Sequence, residues 1–358
     1  MADVTLLARP QPSSRLVVLV KRLFGGPLNA LLTVLVLWGA WSAAAPLVRW
    51  AVVDAVLLPA EPAACRDATG ACWSFVVAKS GQILFGIYPI DERWRPMLVS
   101  AALLGLLGYS LRPAAWRPSL AVLWAIALPA SFLLMFGGFA GLSYVATTMW
   151  GGLPVTLILA VASLGGALPL SILLALGRRC ELPAIRILCV LFIELTRALP
   201  LLTILFVASI LLPLLVPEWL LPDKFFRALI ALLLFAAAYL AEVVRGGLQA
   251  LPPGQAEAAQ ALGLGYWRTQ RHVVLPQALA AVIPSLTNTV IVMIKNTSLV
   301  LVVGLFDLIS SGKAALADPE WSSPAMETYL FIAAVYFALC FGFGRFASAL
   351  ERHARTDP

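Results

Sequence analysis

Charge is scarce in this 358-residue chain. Asp, Glu, Lys and Arg together make up 12% of it, and it contains two histidines and five cysteines. His272 and His353 lie far apart, with no cysteine or carboxylate nearby at ligand spacing, so a zinc site is excluded. A phosphate-cradling G-x-x-x-x-G-K-[ST] loop is missing as well: Gly312-Lys313 is followed by Ala314, and position 307 is Asp307. No G-x-S-x-G nucleophile elbow occurs. The chain therefore carries no metal, no cofactor and no ATPase machinery of its own by these routes. Cys180, Cys189 and Cys340 are simplest as small apolar residues at or in helices.

What the chain has in abundance is apolar sequence. Hydrophobic residues make up 61% and the mean hydropathy is +0.93, the composition of a polytopic membrane protein. The apolar runs predict an all-α fold of about eight transmembrane helices, near Leu28 to Val48, Met97 to Leu111, Ser119 to Phe136, Gly152 to Leu176, Ala184 to Leu212, Phe225 to Val244, Ala278 to Val303 and Met326 to Leu350. The net charge of +7 suggests nucleic acid only until its placement is considered. With both termini in the cytoplasm, most Lys and Arg fall in cytoplasmic segments, among them Arg15, Lys21, Arg22, Arg112, Arg117, Arg178, Arg179 and Arg268. The basic balance is then a topology signal and not a nucleic-acid footprint. The basic tail 1–27, with Pro10 and Pro12, is expected to be disordered or on the surface. The run after it is long and lacks a clear cleavage site, so it is expected to be retained as a first span.

The most informative stretch is a polar interruption, residues 248–276, between two apolar runs. Its pattern is that of two short helices. Pro252 and Pro253 suit a first helical turn, and Glu257 lies early, at the positive end of the dipole. Gly263 and Gly265 can supply the backbone that ends the first helix. The second helix, from about Tyr266, is expected to stop before Pro276. Glu257-Ala258-Ala259, Gly263 four positions on and Val273-Val274-Leu275-Pro276 resemble the cytoplasmic EAA loop of ABC importer permeases. The resemblance implies that Glu257, Ala258, Ala259, Leu262, Gly263 and Pro276 belong to a coupling helix that docks on a separate ATPase subunit. The bland alternative is a short amphipathic helix lying on the membrane.

Further matches follow in chain order. Trp150-Gly151-Gly152-Leu153-Pro154 is similar to the start of the family's first core helix. Glu194-Leu195-Thr196-Arg197-Ala198-Leu199-Pro200 resembles its E-L-x-R-x-x-P signature, although Ala198 and Leu199 replace the common glycine and threonine. Glu194 and Arg197 stand three apart and can pair with each other, either along a substrate route or as a structural ion pair. Ala238-Tyr239-Leu240-Ala241-Glu242-Val243-Val244-Arg245 is similar to A-Y-x-A-E-x-x-R, where Glu242 and Arg245 read as a structural ion pair. Lys295-Asn296-Thr297-Ser298-Leu299 resembles K-x-T-S-L. A lysine in an apolar helix is a functional candidate, and Glu194 can balance it. Asn288, Asn296 and Thr297 can bind the polar ends of a zwitterion or simply bridge helices. In the outer segment 49–96, Cys65 and Cys72 are close enough for a small disulfide or are two free thiols.

The resemblance implies a permease subunit of an ATP-driven importer of L-amino acids in a bacterial inner membrane. Residues 150–352 would be a five-helix type I core with the coupling loop 248–276. Three accessory helices would occupy 28–149, and 353–358 would be a tail. Expected partners are a second homologous permease subunit, two ATPase subunits that bind ATP and Mg, a periplasmic amino-acid-binding protein and the lipid bilayer. An ion-driven secondary transporter and a non-translocating membrane scaffold are the competing classes.

Overall fold

The computed structural model describes residues 15–57 and 60–356, so the expectations for residues 1–14 and 357–358 lie outside it. Among the described residues no strand forms, and only two isolated bridges occur. A helix is the one open-chain structure that satisfies all its backbone polar groups within a bilayer, and the apolar runs take it. The main helices are α1 (Arg15–Phe24), α2 (Pro27–Val48), α3 (Trp94–Ser110), α4 (Pro118–Phe136), α5 (Gly152–Arg178) and α6 (Pro183–Ala198). They continue with α7 (Leu201–Leu215), α8 (Lys224–Ala250), α9 (Gly254–Ala261), α10 (Leu275–Ala281), α11 (Ile283–Asn296), α12 (Leu308–Ala315) and α13 (Ala325–Thr356). Pro27, Pro118 and Pro183 open their helices, where a missing N–H costs nothing.

Six helices among the described residues are long and apolar enough to cross a membrane, and a bent pair brings the number to seven. The remaining expected span, α3, has 17 residues and is about 25 Å long. Two expected spans are not continuous. The run expected as one helix from Ala184 to Leu212 is α6 and α7, bent by 105°, because Pro200 forces Leu199 into an extended conformation at ψ 139°. The run expected from Ala278 to Val303 breaks at Val282, just ahead of Pro284, and finishes in a 3-10 turn at Thr297–Val303. Two terminal expectations also shift. The basic tail contains α1, and α13 extends through the segment expected as a tail to Thr356.

Contacts divide the chain into Met1–Ser74 and Phe75–Pro358. In the first unit, α2 runs on through a π turn at Arg49–Val53. Beyond it the chain folds back: Val56 N–H donates to Ala71 O at 2.8 Å and Ala71 N–H to Trp50 O at 2.8 Å. Cys65 and Cys72 are joined by a disulfide. Gly70 is held tightly here, since a Cβ would lie 2.1 Å from Asp54 O.

The second unit is built on α5 and α8. Ala231, Ala237, Ala238 and Ala241 of α8 are buried, and a Cβ on Gly166 of α5 would meet Leu233 at 2.5 Å. Small residues let the two backbones approach, as membrane helices require when no water-driven attraction holds them. At one end of α8 an aromatic group packs together, with Trp150 and Phe225 rings 5.2 Å apart and Phe136 and Trp150 rings 4.6 Å apart. Asp223 caps α8 there, accepting from Phe225 N–H at 2.8 Å and Thr147 Oγ1 at 2.7 Å. The opposite end of α8 leads into α9.

Candidate functional site

Helix α9 is short, and its end is set by Gly263. That residue has φ +80°, which glycine adopts without strain. Leu264 N–H donates to Ala259 O at 3.1 Å and Gly263 N–H to Gln260 O at 2.9 Å, the paired bonds of a Schellman cap. At the other end Pro253 precedes the first helical residue, and Gln255 N–H donates to Pro252 O at 3.2 Å. The two prolines thus stand just ahead of the first turn rather than within it. The second half of the loop differs from expectation. Residues Tyr266–Thr269 are helical, Gln270–Val274 form a π turn, and α10 carries the chain straight through Pro276. The wider π turn shifts the hydrogen-bond register ahead of the proline, so its absent N–H does not stop the helix.

One side of α9 is anchored and the other is bare. Ala259 is buried. Ala256, Val274, Leu275 and Ala278 join the cluster of Ala175, Leu176, Val244 and Leu248 at the ends of α5 and α8. Gly247 allows this approach, because a Cβ there would lie 2.4 Å from Ala278 O. Arg179 Nη1 donates to Leu248 O at 3.1 Å and ties the same corner. A cleft of about 170 Å³ behind α9 is lined by Leu176, Arg179, Leu251, Ala256, Tyr266 and Gln270, among others. Burial pushes the Tyr266 hydroxyl above its usual pKa. On the other side, Leu262 is 83% and Trp267 67% exposed. Glu257, Ala258 and Gly263 are exposed as well.

One helical turn or two deeper along α8, the charged residues converge. Glu242 receives Arg245 Nε at 3.0 Å on both oxygens, together with Arg245 Nη2. Its Oε2 also lies 3.2 Å from Arg178 Nη1 and 3.7 Å from Arg197 Nη1. Arg178 Nη1 reaches on to Glu194 Oε1 at 2.8 Å, and the Arg197 guanidinium sits 5.7 Å from the Tyr239 ring centre. Three arginines from α5, α6 and α8 therefore surround two carboxylates, which leaves one formal positive charge in excess.

The Glu242–Arg245 pair exists as expected from spacing. Glu194 and Arg197, however, do not pair with each other. Pro200 ends α6 one turn later, and each side chain reaches a different neighbouring helix. Arg178 is the residue the sequence reading missed. As the last cation of a long apolar helix it looks like a topology marker, and only the spatial meeting of α5, α6 and α8 reveals it as a bridge.

The remaining candidates lie on α11 and its 3-10 extension. Thr297 is buried and donates to Ile294 O at 2.7 Å. Asn296 Nδ2 contacts Met293 Sδ at 3.7 Å, and Asn288 is exposed. Lys295 is exposed too, and among the described residues it forms no ion pair with Glu194 or any other carboxylate. Residues 288–297 are thus a second group of candidates, separate in its contacts from the arginine network.

Known proteins place this geometry. Residues 167–356 match the family described as binding-protein-dependent transport system inner membrane component. The chain is 47% identical to the inner membrane amino-acid ABC transporter permease protein YhdY of Escherichia coli, over 99% of each chain. It is 35% identical to the glutamate/glutamine/aspartate/asparagine transport system permease protein BztC of Rhodobacter capsulatus, over 98% of this chain and 97% of that one. The probable amino-acid permease protein YxeN of Bacillus subtilis is 34% identical over 57% of this chain and 90% of its own. A membrane chain with these spans, this loop and near full-length likeness to amino-acid permeases belongs to the binding-protein-dependent transport system inner membrane components, the membrane subunits of ABC importers.

Proposed function

We propose that this permease moves polar L-amino acids into the cytoplasm of a bacterium, driven by ATP and Mg bound in separate ATPase subunits on which α9 docks. The observation that carries the reading is the two-sided character of α9. Its rear packs through Ala256 into the cluster that Leu176, Val244, Val274 and Ala278 form at the ends of α5, α8 and α10, and Ala259 is buried, while Ala258 and Leu262, and Trp267 just beyond, are exposed. A helix so mounted transmits displacement to the core instead of merely resting on lipid. Its docking must differ in strength between the two access states, since only differential affinity shifts a conformational equilibrium. The printed functions of the relatives support amino acids as cargo.

In this proposal residues 150–352 form the translocating core, and residues 28–149 are an accessory layer. A second homologous permease subunit completes the pathway, two ATPase subunits lie beneath, and a periplasmic binding protein delivers substrate. Both termini face the cytoplasm, consistent with the bias of Lys and Arg. Glu194, Arg197, Lys295, Asn288, Asn296 and Thr297 line the route. The excess positive charge of the arginine network, and Lys295 with it, suits a passing carboxylate, and the side-chain amide oxygens of Asn288 and Asn296 can accept from its ammonium end.

The test is uptake of labelled amino acids into proteoliposomes holding the whole complex. ATP-dependent uptake that persists with ion gradients collapsed supports the proposal. Uptake that vanishes with the gradient and ignores ATP would refute it.

A further inference from the structure

Helix α1 is too short to span and too apolar on one side to stand in water. Its ten residues, RLVVLVKRLF, measure about 15 Å, half of the hydrocarbon core of a bilayer. At 100° per residue, positions 16, 19, 20, 23 and 24 share one side and positions 15, 21 and 22 share another. Leu19, Val20, Leu23 and Phe24 are 57%, 48%, 40% and 48% exposed, so the described residues leave this apolar side uncovered.

Position narrows what covers it. The helix ends at Phe24, and the spanning helix α2 begins at Pro27. Thr33 Oγ1 on α2 donates to Leu23 O at 2.8 Å, which fastens the end of α1 to the first turns of α2. An element tied to the mouth of a membrane span sits at the boundary between headgroups and acyl chains. Charge narrows it further. No Asp or Glu occurs between Asp3 and Asp54, so the neighbouring sequence has no carboxylate to balance Arg15, Lys21 and Arg22. An apolar side, a cationic side and an interfacial location together fit an in-plane amphipathic anchor.

We propose that α1 lies in the membrane plane, its apolar side among the acyl chains and its cations bound to anionic phospholipid headgroups. The inference does not depend on which amino acids are carried. Hydrogen exchange of the complete complex in nanodiscs tests it, comparing phosphatidylcholine alone with a mixture rich in phosphatidylglycerol. Amides of residues 15–24 should exchange about thirty- to hundredfold more slowly in the anionic discs, as two or three surface cations imply at about 1 kcal/mol each. High salt should reduce the difference. The double change Lys21→Glu and Arg22→Glu should abolish it, and Lys21→Arg with Arg22→Lys should keep it. Peptides from α2 should be unchanged throughout, which separates a lost anchor from a misfolded chain. Equal exchange in both lipids would overturn the proposal. Protection that follows the ATPase subunits whatever the lipid would overturn it also, and would assign the surface to a protein partner.

Discussion

The two ends of α8 are held by different physics. At the Asp223 end most groups close on themselves, although Arg227 Nε and Nη1 and Arg95 Nε are buried without a hydrogen-bond partner among the described residues. The helix cap is satisfied, Trp150 and Phe225 are buried among other rings, and Arg95 is fully buried with Glu92 at 2.8 Å and Ser143 O at 2.8 Å. At the Glu242 end one carboxylate draws arginines from three helices, and the loop that follows exposes Leu262 and Trp267. Packed aromatic rings and capped helices resist rearrangement, whereas ion pairs between separate helices can exchange partners at little cost. The first end is suited to hold a shape, the second to change it and to be completed by another subunit.

The sharpest way to break that contrast is Glu242→Gln. Removing one partner of a buried ion pair costs about 3–5 kcal/mol, and the partial exposure of Glu242 and its arginines lowers that figure. Three cations nevertheless lose their common anion, so uptake should fall at least about tenfold, with a lower melting temperature of the purified complex. Wild-type uptake and melting would show that the network is ornamental.

Leu262→Asp comes next. The side chain is almost fully exposed, so melting of the isolated permease should not move, but copurification of the ATPase subunits should fail. Retained copurification would make the outer side of α9 irrelevant to docking.

Gly263→Leu should have a mixed and smaller effect. Nothing lies within 4 Å of a Cβ built there, so the cost is the left-handed backbone, about 1–2 kcal/mol, plus a tilted α9. Gly263→Asn tolerates that backbone better and should recover most of the transport-coupled ATP hydrolysis. Equal behaviour of the two variants would remove backbone geometry as the cause.

The smallest effect is expected at the closed end. Lys79 donates to the Asp318 carboxylate and holds its pKa below the usual range. The ionised form is favoured by folding, so this contribution is complete above the ordinary carboxylate pKa of about 3.9. It is lost as the pH falls through the lowered folded value. Melting of wild type and Asp318→Asn should differ slightly at neutral pH and converge in acid. A difference that grows in acid would contradict the assignment. Glu92 is lowered in the same sense, chiefly by the Ser143 hydroxyl and then by Arg95.

Much of this was legible in sequence because it is local. Periodic apolar runs fixed where the helices lie, Gly263 announced the end of α9, and Glu242 with Arg245 announced an i, i+3 pair. The misses share a cause: each depends on where a helix points. A proline inside an apolar run signals a break but not a 105° bend, and the i, i+3 spacing of Glu194 and Arg197 does not say that one turns to Arg178 and the other to Glu242. Pro276 signals a stop, yet a π turn carries the helix past it. Arg178 acquires its meaning only from α6 and α8, and among the described residues Lys295 pairs with no carboxylate, although the sequence offered Glu194 as a candidate.

The central claim is that α9 is gripped by a nucleotide-hydrolysing subunit and passes that subunit's motion to the arginine network. A Leu262→Cys permease, with its other free cysteines removed, should crosslink to cysteines placed along the ATPase surface. The yield should change between nucleotide-free and ATP-bound complexes, and the crosslink should arrest uptake. A position reachable by reagent only from the periplasmic side, or uptake that proceeds unhindered while the crosslink is in place, would contradict the account.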